Sequence, residues 1–169
     1  MKKRIFLLPI CLLLCLSGCA TPSYRDNRSA ADVLADVERA MPTETPYRRA
    51  EDDYLSESAF GEDLDILQQQ VMDWAVALSD RSDCHPDEIA VFRVGNTPND
   101  RVRDVSDAVK RHGDSLRSRL GDYFRMYAPE ELPKLDNVSV KVCGRYVLLT
   151  VLDEQQTQAA QKAFEKALQ

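Results

Sequence analysis

Apolar positions along the chain fall into blocks of different period, and each block predicts an element. A nearly unbroken apolar run over residues 5–16 follows Met1-Lys2-Lys3-Arg4 and is interrupted only by Pro9. Its length suits a secretory signal core and falls short of the roughly 20 apolar residues that cross a bilayer. Residues 20–28, "ATPSYRDNR", are polar and read as a tether. Ser29 can then cap a helix over 29–41, with Ala30, Val33, Leu34, Val37 and Met41 on one stripe. "PTETPYRRAEDD" breaks regular structure with two prolines and mixed charge. A helical turn over 55–60 ends at Gly61, which can take a left-handed cap position.

From Asp63 onward two periods overlap. Leu64, Leu67, Val71, Trp74 and Leu78 keep helical spacing, while Met72, Trp74, Val76 and Leu78 alternate with other residues as a strand would. The later blocks are simpler. "EIAVFRV" between Pro86 and Gly95-Asn96 predicts a strand over 88–94. Asn99 or Asp100 caps a helix to about Leu120, with Val102, Val105, Val109, Leu116 and Leu120 inward and an Arg/Asp-rich outer face. "YAPEELPKL" reads as a loop. "VSVKVCGRYVLLTVLD" predicts a hairpin turning at Cys143-Gly144, its return strand apolar on both faces and therefore central. Residues 155–168 close the chain as an amphipathic helix, with Ala159, Ala160, Ala163, Phe164, Ala167 and Leu168 inward. If 72–79 is a strand, the order is strand-strand-helix twice. The expected fold class is α+β: a small antiparallel sheet of about four strands, its helices packed on one face, preceded by a signal peptide and an N-terminal helix.

Three cysteines in the first block, Cys11, Cys15 and Cys19, would share one face of a helix, an arrangement a metal could use. What surrounds them argues otherwise. The apolar run ends in Leu16-Ser17-Gly18-Cys19, which resembles the lipobox of bacterial lipoproteins. That resemblance implies cleavage between Gly18 and Cys19 and lipidation of Cys19, with Cys11 and Cys15 discarded as leader. Small residues ahead of the cysteine let the chain enter a narrow peptidase cleft, and the thiol is the group alkylated. The implied organisation is a signal peptide over 1–18, a lipid-anchored tether over 19–54 and a globular domain over 55–169. Losing Lys2, Lys3 and Arg4 from 22 Lys+Arg leaves 19 against 28 Asp+Glu, a balance of −9. A body of that charge is repelled by nucleic acid and by anionic lipid headgroups, so the expected partners are the membrane, held through lipid on Cys19 and not through charge, and an envelope protein or small ligand. The address implied is the extracytoplasmic face of the cell membrane.

Further resemblance comes from separated segments in order. "DEIAVFRV", the long charged helix, "NVSVKVCGRYVLLTVLD" and "QKAFEKAL" together resemble the bacterial lipoprotein family catalogued as domain of unknown function 4358. The match runs from about Leu55 to the C-terminus and departs in a longer stretch between Gly61 and Trp74. It implies strand-helix-strand-strand-helix order with an extended segment before "DEIAVF", which favours the strand reading of 72–79. The family has no established activity, so no catalytic residue carries over.

Chemistry is sparse. No phosphate loop, nucleophile elbow, H-E-x-x-H or paired C-x-x-C occurs. No cofactor and no metal site is therefore expected. Cys84 and Cys143 could form a disulfide in an exported protein, or both stay free and half-buried. His85 and His112 lack metal-ligand spacing with either. Three functions compete: a non-enzymatic binding or scaffolding module; capture of a peptide or small ligand by Trp74, Phe92, Tyr146, Tyr123 and Tyr127 on an open sheet face; and a hydrolase using carboxylates of the Asp83, Asp87, Glu88 cluster. The last needs two carboxyls roughly 5–10 Å apart across a cleft. A charged turn accounts for the same three residues.

Overall fold

The computed structural model describes residues 23–41, 46–79, 85–98 and 100–169. The leader, Gly18, Cys19, Asp83, Cys84 and Asn99 lie outside the described residues. The chain forms α1 (Ala30–Ala40), β1 (Tyr47–Arg49), α2 (Glu57–Phe60), α3 (Leu64–Gln70), β2 (Val71–Ser79) and β3 (Glu88–Val94). It continues through α4 (Val102–Tyr127), α5 (Leu132–Asp136), β4 (Ser139–Cys143), β5 (Tyr146–Val151) and α6 (Glu154–Leu168). The fold is α+β, as expected, on an antiparallel sheet of five strands in the order β1-β2-β3-β5-β4.

The overlapping periods around Trp74 resolve into two elements in succession. The helical spacing holds over α3 and the alternation over β2, with a bulge between Val71 and Asp73 where one becomes the other. The added strand is β1. Its three residues pair with Ala77, Leu78 and Ser79. A charged, proline-flanked stretch shows no alternation because β1 is held by backbone pairing at the sheet edge, which leaves no mark on side-chain pattern.

Helices cover both faces of the sheet, not the one expected. On one face α1 and α6 pack over Ala75, Ala77, Ile89, Val91, Tyr146 and Leu148. On the other, α2, α3 and α4 pack over Val76, Leu78, Ala90, Phe92, Val147 and Leu149. Strand residues alternate between faces, so a run like β5, buried at every position, demands cover on both sides. α4 comes close because Gly113 faces the sheet: a Cβ there would stand 2.5 Å from Val138 Cγ1. α4 also runs on to Tyr127, stopping before Pro129, and residues expected as loop form a 3₁₀ turn over Pro129–Glu131 and then α5, which buries Leu135.

Within the expected tether over 19–54, the helix expected over 29–41 packs on the sheet. α1 buries Ala30, Val33, Leu34 and Val37, the stripe its spacing predicts. Ser29 Oγ accepts from Asp32 N–H at 3.1 Å, and Asp73 Oδ1 on β2 accepts from Ala30 N–H at 2.6 Å. Two of the orphan donors at the helix start are thereby satisfied, and one of them locks α1 to the sheet. Upstream, Arg25 N–H donates to Leu168 O at 2.7 Å and Tyr146 Oη donates to Arg28 O at 2.7 Å. Among the described residues, packing therefore starts as early as Tyr24, which lies against the first core.

Candidate functional site

β1 is shorter than its neighbour, and this opens a groove. Ala50 N–H donates to Val76 O at 3.0 Å, and beyond that bond the chain turns off into a 3₁₀ turn over Asp52–Tyr54. β2 continues another five residues to Val71, paired with β3 on one side and with no strand among the described residues on the side where β1 ends. Backbone direction alternates along a strand, so Trp74, two residues from Val76, aims its N–H and C=O past the end of β1. A cavity of about 510 Å³ lies there, lined among others by Arg49, Asp52, Leu55, Gln68, Met72 and Trp74. Met72 is 59% exposed.

Behind Trp74 stands a buried polar centre. The Tyr54 ring lies 5.6 Å from that of Trp74, and its hydroxyl donates to Glu88 Oε1 at 2.5 Å. His112 on α4 brings Nε2 to 3.1 Å from the same oxygen and to 3.3 Å from Tyr54 Oη. His112 Nδ1 sits 2.9 Å from Ala59 O; a carbonyl only accepts, so Nδ1 carries a hydrogen and Nε2 faces Glu88. The Glu88 and His112 side chains are 1% and 2% exposed, and Phe60 stacks on the imidazole at 4.3 Å. The pair is buried, with the Tyr54 ring between it and Trp74. The centre fixes α4 and the Asp52–Tyr54 turn against β3, since an unpaired buried charge costs far more than a matched pair.

Asp87, the neighbour of Glu88, leads elsewhere. Its Oδ1 accepts from Lys134 Nζ at 2.7 Å, while Tyr47 Oη lies 3.4 Å from Oδ2. Burial pushes the Asp87 carboxyl above its ordinary range, partly offset by Lys134. Lys134 also reaches Glu131 at 2.6 Å, and Glu131 reaches His85 at 3.2 Å. Asp87 and Glu88 are therefore anchors in two separate clusters and do not form a carboxylate pair with each other. Consecutive side chains at a strand point to opposite sides, which is why neighbours in sequence part company.

The remaining expected residues are dispersed as well. Phe92 and Tyr146 are fully buried in opposite cores, so no open sheet face displays them with Trp74; the accessible feature is the sheet edge. Tyr123 and Tyr127 are exposed at the far end of α4, their rings 4.9 Å apart. Cys143 is a free, buried thiol, raised above its ordinary pKa by burial, and Cys84 lies outside the described residues. Cys143 pairs with Tyr146, which pairs with Arg93, whereas His85 lies at the Ser79–Glu88 end of the sheet, its carbonyl accepting from Ser79 Oγ at 2.6 Å. Five residues of strand separate those ends, about 17 Å.

His112 and Tyr54 were not singled out as a pair by sequence. A signal exists for the first: His112 continues the buried stripe Val105, Val109, Leu116 at helical spacing. Nothing local marks Tyr54. Comparison of the chain with protein-family models, with curated proteins and with solved structures finds no match.

Proposed function

We propose that the chain is a lipoprotein of the envelope, related to the family named above, acting as a non-enzymatic binding module on the extracytoplasmic face of the membrane. Its leader is cut before Cys19, which carries the lipid. One observation carries the reading furthest: Tyr24, five residues after Cys19, is already packed on the core. Five residues reach at most about 17 Å, so a lipidated Cys19 would seat the body directly on the bilayer. Two or more acyl chains suffice to hold it there. In Cys19→Ala, metabolic labelling with a palmitate analogue is expected to vanish and the leader to be retained. Undiminished label would overturn the assignment.

The open edge of β2 favours a segment of extended chain as the occupant, since an unpaired strand edge accepts a further strand through backbone bonds. A photo-crosslinker at Met72 should then capture a partner in cells that one at exposed Gln155 does not. Equal capture at both positions would remove the groove from the reading.

A further inference from the structure

Charge is distributed against the acidic total. The chain carries −6 overall, yet α1 and α6 enclose a groove of about 610 Å³ lined by Arg25, Arg28, Arg39, Lys162 and Lys166, with Asp36 the single acid among the described residues that line it. The local balance is +4. Asp36 is fully engaged: Arg28 Nη1 reaches one oxygen at 2.7 Å and Arg39 Nη1 the other at 2.7 Å. Those guanidiniums, Arg28 first, hold its carboxyl below the ordinary range. Among the described residues Arg25, Lys162 and Lys166 have no carboxylate partner, and all three are exposed. At physiological ionic strength charges farther than about 8 Å are largely screened, so an anion at this groove meets the +4 patch and not the whole-chain charge.

The groove is shallow for a sequence reason. α6 turns Ala160, Phe164 and Leu168 into the core and leaves its second row of alanines half-buried as the floor. Its place matters more. Arg28 Nη1 also donates to Ala167 O at 2.9 Å, and Arg25 N–H caps Leu168 O, so the groove lies where the N-terminal chain joins the body. Arg25 is six residues from Cys19.

We propose that the α1/α6 groove is the membrane-facing surface of the protein and binds the phosphate of an anionic phospholipid headgroup. This rests on the lipoprotein reading: the anchor brings the body to the bilayer, and the groove sets which side faces it. The lysines supply point charges, and Arg25 with the outer guanidinium of Arg39 supplies planar donors for phosphate oxygens. The outer face of α4, on the other side of the sheet, then points away from the membrane.

The test uses the lipidated protein in vesicles of phosphatidylcholine alone or mixed equally with phosphatidylglycerol. After flotation, a water-soluble amine reagent labels exposed lysines, read residue by residue by mass spectrometry. Lys162 and Lys166 should label roughly fivefold more slowly with phosphatidylglycerol present, about the population ratio that one basic side chain near an anionic surface supplies. Lys110 on α4 should be unchanged. Equal labelling of Lys162 and Lys166 in both vesicles overturns the groove assignment and leaves the anchor standing. Protection by inorganic phosphate in phosphatidylcholine vesicles would mark a free-anion site and overturn the lipid source. Failure to float with either vesicle would overturn the anchor, and the groove inference with it.

Discussion

Gly144 opens the two-residue turn between β4 and β5, where Cys143 pairs with Tyr146. Its φ is +58°, and a Cβ built there would stand 3.0 Å from Tyr24 Cβ. Gly144→Val meets both conditions badly. An L-residue in the left-handed region costs about 1–2 kcal/mol, most for a β-branched side chain. Crowding of Tyr24 adds to that, because Tyr24 is held over Cys143 while Arg25 caps α6. The expected loss is about 2 kcal/mol, a fall in Tm of about 4–8 °C for a body of this size. Thermal melting followed by far-UV circular dichroism reads it, and urea unfolding at unchanged m value confirms that stability has changed. Gly144→Asn separates the causes. Asparagine accepts positive φ but keeps the Cβ, so a smaller fall isolates the contact with Tyr24. Gly144→Val melting within about 1 °C of the unchanged protein would refute both the turn geometry and the docking of the N-terminal segment.

Two further outcomes follow from the polar groups. His112→Ala strands the Glu88 carboxyl, 1% exposed, with Tyr54 as its remaining side-chain partner of that centre; denaturant unfolding should show a loss of about 3 kcal/mol or more. A loss under about 1 kcal/mol would show that Glu88 is not held by the imidazole. The Arg111 guanidinium grips Asp63 through two bonds, at 2.6 and 2.7 Å, and holds its carboxyl below the ordinary range; Asp36 is lowered in the same way by Arg28 and Arg39. A lowered folded pKa contributes stability above the unfolded value, about 3.9, that is lost as pH falls through the folded one. Tm should therefore decline on acidification below about pH 3.9, and Asp63→Asn should flatten that decline while lowering Tm at neutral pH; a parallel curve for the variant would exclude the ion pair as its source.

What the sequence determined by itself is whatever depends on near neighbours. The stripe Ala30, Val33, Leu34, Val37 makes α1 amphipathic with no help from the rest of the chain, and Ser29 starts it. β3, the β4–β5 hairpin and α6 are legible for the same reason: period, cap and turn residue are local properties. Periodicity says that a face is covered and never by what. Only the tertiary structure decided that both faces of the sheet carry helices, that β1 pairs with just three residues of β2, and that the groove past its end exposes Trp74. The same holds for Glu88, whose partners lie 34 and 24 residues away, and for the basic groove, whose walls come from residues 25–40 and 159–167. Such meetings are set by the packing of whole elements, and single positions along the chain carry no trace of them.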